Sequence, residues 1–181
     1  DFILEREEMG SRLQKQRENG TLPLRVTHND TKLNNVLLDK KTRKSLCVLD
    51  LDTVMPGLSA FDFGDSIRFG AATAAEDEKD LSKMEMDLHL FEIYTRGFLE
   101  AATNLTEAEI QALPMGAYTM TLECGSRFLK DYLDGDVYFK VNYPDHNLVR
   151  ARTQIKLVAD MEKKMDEMNA IVARVAAEIR K

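Results

Sequence analysis

Beyond residue 54 the apolar side chains recur at helical spacing almost without a break. Leu81, Met84, Leu88, Phe91, Tyr94 and Phe98 follow one another in steps of three and four, which predicts an amphipathic helix over about 77–103. Thr106 and Glu109 have capping-box spacing and open a further helix. Pro114 is expected to break or restart it before a helical stretch from Met115 to Leu133. Asp134-Gly135-Asp136 reads as a turn. From about Asp145 the stripe Leu148, Ile155, Val158, Met165, Met168, Val172, Val175 and Ile179 marks a long helix. Its methionines suit core packing better than a docking face. Residues 2–18, with Phe2, Ile3, Leu4, Met9 and Leu13, form one more striped helix, stopped by Asn19-Gly20. No repeat, linker or low-complexity tract interrupts the chain. The expectation is one domain over 1–181, mainly α with a small β-hairpin.

That hairpin has one place to be. Val36-Leu37-Leu38 reads as a short buried strand, Asp39 to Lys44 as a polar turn, and Ser45 to Leu51 as the return strand, with Cys47 buried in it. Just before the first strand stand His28, Asp30 and Asn35; at the end of the second stand Asp50 and Asp52. A hairpin of this length returns Asp50 to the neighbourhood of Asn35. Asp and Asn favour turns for their own sake, but here several independent positions would have to agree by accident. An Asp and an Asn five apart, then an Asp closing an apolar strand, is the layout of a phosphoryl-transfer site. Such chemistry needs an aligned hydroxyl and positive charge on phosphate oxygens rather than covalent help from the protein. Asp30 can orient the hydroxyl and take its proton. Asn35 and Asp50 can hold Mg2+ on the phosphates of ATP, because magnesium accepts a few hard oxygen ligands and keeps waters.

His28-x-Asp30 with Asn35, then an apolar strand ending in Asp50, resembles the aminoglycoside phosphotransferase and choline kinase superfamily, whose fold is protein-kinase-like. The strings 28–35, 49–57 and 61–68 are similar to those of N-acetylhexosamine 1-kinases, and the similarity continues through 124–139 and 152–157. The resemblance implies the C-terminal, helical lobe of a kinase-like α+β fold. It implies ATP-dependent phosphorylation of the anomeric hydroxyl of N-acetylglucosamine or N-acetylgalactosamine. Asp30 would be the catalytic base, and Asn35 and Asp50 the metal ligands. Asp52, two along the strand from Asp50 and therefore on the same face, would be a second metal ligand or a sugar-hydroxyl acceptor. His28 would brace the catalytic loop. Arg127 and Tyr138 match positions that contact the acetamido group.

Two rival assignments arise from the same residues. Asp62-Phe63-Gly64 spells the metal-binding triplet of protein kinases, but Asp50 lies much nearer Asn35 in sequence, so Asp62 is read as a structural acceptor for the catalytic loop. Asp50-Leu51-Asp52 after an apolar run also looks like the nucleophile strand of a haloacid-dehalogenase-type phosphatase. That fold needs further parallel strands, which the helical pattern after residue 54 denies. A catalytically silent binding module stays open, as do other acceptors: choline or ethanolamine, homoserine, an aminoglycoside. The absence of Trp, with only five Tyr, weighs against a choline cage.

A net charge of −6 with no Lys/Arg cluster argues against nucleic acid as a partner. Two distant cysteines give neither a disulfide framework nor a zinc motif. No apolar run of membrane-spanning length and no signal peptide is seen, so no membrane is expected and the cytoplasm is the expected compartment. Hydrophobic content of 44% suffices for a self-standing core, with helices expected to cover the hairpin. No glycine-rich loop or strand lysine precedes residue 27. The nucleotide-gripping lobe is therefore expected to be absent from these residues, and the isolated chain to be inactive. The surface that would meet that lobe should be apolar and open to self-association.

Overall fold

The computed structural model describes residues 1–180. The element order is α1 (Glu7–Gly10), α2 (Arg12–Glu18), β1 (Arg25–Thr27), β2 (Val36–Leu38), β3 (Ser45–Val48), β4 (Met55–Gly57), α3 (Ser59–Gly70), α4 (Leu88–Ala101), α5 (Glu107–Leu133) and α6 (His146–Ile179). The fold is mainly α. Helix α5 packs along both α3 and α6, and α4 lies against α6.

The core follows from the helical stripes. Met161 and Met168 of α6 are fully buried, so the methionine stripe is core. Phe63 of α3 meets Phe91 and Phe98 of α4 edge-on, with centroids 5.8 and 5.2 Å apart. Gly64 and Gly116 let α3 and α5 touch backbone to backbone. A Cβ on Gly64 would fall 2.2 Å from the Gly116 carbonyl oxygen, and one on Gly116 would fall 2.1 Å from that of Ala60. This crossing fixes α3, which carries much of the site's support.

Two helix boundaries differ from the sequence expectation. The helix expected over 77–103 begins only at Leu88, because Asp87 accepts the backbone N–H groups of His89 and Leu90 as its cap. Upstream, Asp80 caps a separate short turn over Leu81–Lys83. Pro114 neither breaks nor restarts α5, which runs through it. An interior proline costs a helix about 3 kcal/mol; here its ring is buried between packed flanks that extend well beyond it on both sides. The helix expected over 2–18 is interrupted at Ser11, and Gly20 ends it at φ +79°. The Thr106–Glu109 capping box is formed as expected.

The hairpin is present but not buried. β2 and β3 pair antiparallel, Val36 opposite Val48, with an irregularity after Leu37. Leu37, Leu38, Leu46 and Val48 are all exposed, and so is Cys47. The helices lie to one side and leave the hairpin uncovered. The return strand stops at Val48 instead of continuing to Leu51, because Asp50 is left-handed (φ 60°) and Leu51–Thr53 forms a short 3-10 turn. A second antiparallel pair, β1 with β4, was not anticipated; it sets Thr27 opposite Met55. No described helix is long and apolar enough to cross a membrane.

Candidate active site

Strand β1 delivers the chain into a loop whose backbone is gripped from beneath by α3. The Asp62 carboxylate accepts the N–H of His28 at 2.8 Å and that of Asn29 at 2.7 Å. Burial pushes this carboxyl above the usual range, even though the two N–H groups favour its charged form. The Thr31 hydroxyl donates to the Asp62 carbonyl, and the Ser66 hydroxyl to that of Thr31, at 2.9 Å in the latter case. Asn29 takes the left-handed conformation at φ 64°, and its amide donates to the Thr53 carbonyl at 3.0 Å. The Thr53 hydroxyl donates to the His28 carbonyl at 2.6 Å. Gly57 makes room for this stitching, since a Cβ there would lie 2.3 Å from the Thr27 hydroxyl. His28 bridges within the loop: its Nδ1 accepts the Asp30 N–H at 3.3 Å, which leaves Nε2 to donate to the Leu49 carbonyl at 2.9 Å.

The loop holds Asp30 by one oxygen. Oδ2 accepts from Lys32 Nζ and from Asn35 Nδ2, both at 2.7 Å. Asn35 Nδ2 also donates to the Asp30 carbonyl at 2.8 Å. Burial works to raise this carboxyl, but the bonds from Lys32 and Asn35 outweigh it and hold Asp30 below the usual range. Oδ1 keeps its lone pairs for something else. Lys32 was not singled out from the sequence, although its position two residues after Asp30 was the available signal.

The hairpin brings the second acidic group to the first. The Leu49 N–H donates to the Asn35 carbonyl at 2.8 Å, and Asp50 follows at once. Asp50 and Asp52 are close enough to share a hydrogen bond, as expected from sequence, but not because they lie on one strand face. The left-handed Asp50 and the turn after it fold the two carboxylates together. Their hydrogen bond and mutual repulsion, with smaller contributions from burial and from Asp30, push the Asp50 carboxyl above its usual range. A crowded carboxylate pair beside a buried amide, whose nitrogen is already committed to Asp30, presents hard oxygens to a cation. Among the described residues there is no cluster of three or more His, Cys, Asp or Glu ready to cage a metal. The set Asn35, Asp50 and Asp52 suits instead a cation that arrives with phosphate oxygens and waters of its own.

On the other side of Asp30 a cavity of ≈ 480 Å³ opens between α3, α5 and the segment after α5. Asp30 and Lys32 stand at one end; Arg127 and Tyr138 line it too, with Asp65 and Arg68 on the α3 wall. Asp50 and Asp52 are not among its lining residues, although Thr53, which follows them, is. Tyr138 sits on an irregular segment, not a helix. The Arg127 guanidinium lies 5.7 Å from the Tyr138 ring centroid and 5.4 Å from that of Phe139. Cys124 also lines the cavity, but burial pushes its thiol up to about 12, which leaves it unreactive. Asp65 and Arg68, a buried pair 3.0 Å apart, belong to the cavity wall, a role that sequence reasoning misses.

The sequence profile of the phosphotransferase enzyme family, APH, matches residues 2–86. That span contains β1 to β4, α3 and the whole loop around Asp30, and ends before α4. The match supports kinship with the aminoglycoside phosphotransferase and choline kinase superfamily.

Proposed function

We propose that this chain is the helical lobe of a small-molecule kinase of the APH kind, and that its acceptor is the anomeric hydroxyl of an N-acetylhexosamine, giving the sugar 1-phosphate. The observation that carries the reading is the placement of Asp30. It lines an open cavity and lies close enough to Asp50 for the two charges to act on each other, with one carboxylate oxygen tied down and the other free.

The roles follow from the geometry. An acceptor hydroxyl in the cavity donates its hydrogen bond to Asp30 Oδ1. A carboxylate held below its usual range is a weak base, so it orients the hydroxyl first. It takes the proton as the new O–P bond forms and the hydroxyl becomes acidic. Lys32, 2.7 Å from Asp30, places positive charge beside the transferring group. Asn35 Oδ1 and Asp50, with Asp52 beside them, would hold Mg2+, which neutralises charge on the phosphates of ATP. Arg127 and Tyr138 supply donors for an acetamido carbonyl at the far end of the cavity. Arg127 already covers the faces of Tyr138 and Phe139, which disfavours a quaternary ammonium there and hence choline.

The exposed apolar side chains around the hairpin, among them Val26 at 85% and Leu46 at 61% exposure, are consistent with a covering nucleotide-gripping lobe supplied from outside these residues. The lobe alone would leave Asp30 in an open groove and turn over little. The test is a panel of acceptors presented, with ATP and magnesium, to the full-length protein in which this lobe is joined to its nucleotide-gripping lobe: N-acetylhexosamines, plain hexoses, choline, ethanolamine, homoserine and an aminoglycoside. An N-acetylhexosamine should give the highest kcat/KM. A different best acceptor would overturn the substrate assignment, and no phosphorylation of any would overturn the kinase reading.

A further inference from the structure

We propose that Asp131 is a positioning residue for the acceptor, acting through the irregular segment 136–139 that it holds against the cavity. The inference rests on the phosphotransfer reading of that cavity. Asp131 lies in the last turn of α5 and is 4% exposed. Its carboxylate is saturated by four donors. Oδ1 accepts the N–H of Val137 at 3.0 Å and that of Tyr138 at 2.8 Å. Oδ2 accepts the N–H of Phe139 at 2.9 Å and Asn147 Nδ2 at 2.8 Å.

Three consecutive amides converging on one buried carboxylate is a demanding arrangement. The chain reaches it through Gly135 at φ +93° and Asp136 at φ +59°. Asn147, fully buried at the start of α6, bridges Asp131 to the Asp136 side chain, again at 2.8 Å. Stability alone does not call for this: Val137 and Tyr138 are 77% and 72% exposed, and a solvated loop would serve as well. What the anchor fixes is direction. It sets the Tyr138 and Phe139 rings beside Arg127, and packs Phe139 against Phe128 at a tilt, with centroids 4.7 Å apart. A wall ordered before the acceptor arrives spares the acceptor the cost of ordering it. The role therefore appears in acceptor binding and not in the chemical step.

The experiment uses the full-length protein, nucleotide-gripping lobe included, carrying Asp131→Asn, which turns one acceptor oxygen into a donor facing other donors. Two measurements are made: hydrogen exchange at the amides of 137–139, and kinetics with the best acceptor found for the wild type. The amides should exchange at least about tenfold faster, and the acceptor KM should rise about tenfold, the factor that goes with losing one good hydrogen bond. The KM for ATP and kcat should stay within about twofold. Asn147→Ala, which keeps the carboxylate and removes its buried brace, should show the same pattern more weakly and stands in if Asp131→Asn does not fold. Faster exchange with an unchanged acceptor KM would overturn the positioning role, and unchanged exchange would overturn the anchor. A wild type that prefers another acceptor contradicts the N-acetylhexosamine assignment alone, since the comparison is then run with that acceptor. A wild type that phosphorylates nothing in the panel contradicts both.

Discussion

The Asn35 amide donates at 2.7 Å to the Asp30 carboxylate and at 2.8 Å to the Asp30 carbonyl. One side chain thus holds its neighbour five residues back at both carboxylate and backbone, and its nitrogen is committed to that residue. Five residues is the separation at which a loop closing through a short turn can bring these two groups face to face.

Asp30→Asn should lower kcat by roughly 10²–10⁴, the usual worth of a positioned acid–base group, with the KM for ATP little changed. Steady-state kinetics on the full-length protein, nucleotide-gripping lobe included, decide it. A near-normal kcat would mean that another group orients the hydroxyl.

The acidic limb of the pH profile should belong to Asp50, not to Asp30. Asp30 is held below its ordinary value of 3.8 and stays ionised in mild acid. Asp50 is held above 3.8, so it keeps a proton at higher pH than an ordinary aspartate and competes with magnesium there. The magnesium concentration for half-maximal rate should rise as pH falls into that range. Asp52→Asn should move the rise to lower pH, because the partner that raises Asp50 is gone. A profile unmoved by Asp52→Asn would contradict the pairing.

A second pH effect concerns stability. Glu109 is 2% exposed and receives bonds from Arg25, Thr106 and Ser59. Burial opposes its charge, but these bonds win and hold its carboxyl down at about 2, against an ordinary 4.5. A depressed carboxyl stabilises the fold fully above its unfolded value and loses that contribution as pH falls from 4.5 toward 2. The amount lost is about 3 kcal/mol. Arg25→Met should flatten this part of the Tm-against-pH curve. Because Arg25 sits on β1, it should also loosen the strand that enters the catalytic loop.

Gly64→Ala should be strongly destabilising. The added Cβ meets backbone of Gly116 at 2.2 Å, and overpacking of a rigid crossing costs about 1–3 kcal/mol or more. Since α3 also carries Asp62, which holds the backbone of His28 and Asn29, activity should fall together with Tm. Thermal unfolding beside kcat checks both.

Much of this was legible in the residues. The helices were, because stripes such as Phe91, Tyr94 and Phe98 repeat at helical period. Their boundaries were less so: Asp80 and Asp87 both cap, and period alone could not say which opens the long helix. The proximity of Asn35 and Asp50 followed from hairpin length. The three-residue pair β1–β4 carries no periodicity to read. The turn that joins Asp50 to Asp52 depends on one left-handed residue. Exposure of Leu37, Leu46 and Cys47 could not be foreseen either, since apolar side chains look the same in a sequence whether a neighbouring element covers them or not. The cavity joins α3, α5 and 136–139, which are distant in sequence, so Asp65, Arg68 and Asp131 acquired meaning only in three dimensions.

Removal of Arg127 should bear on selectivity more than on rate. A hydrogen bond from a charged donor is worth roughly 1.5–3 kcal/mol. Arg127→Ala should therefore erase much of the preference for N-acetylglucosamine over glucose, read as the ratio of kcat/KM values. An unchanged ratio would place the acetamido group elsewhere.

The most direct measurement is the phosphorus-31 spectrum of the product formed from ATP, magnesium and N-acetylglucosamine by the full-length protein, nucleotide-gripping lobe included, with Asp30→Asn run beside it. The expected result is a sugar phosphate monoester whose phosphorus couples to the anomeric proton, formed by the wild type and nearly absent from the variant. Phosphate on any other hydroxyl, or equal product from Asp30→Asn, would contradict a phosphotransfer to the anomeric oxygen directed by Asp30.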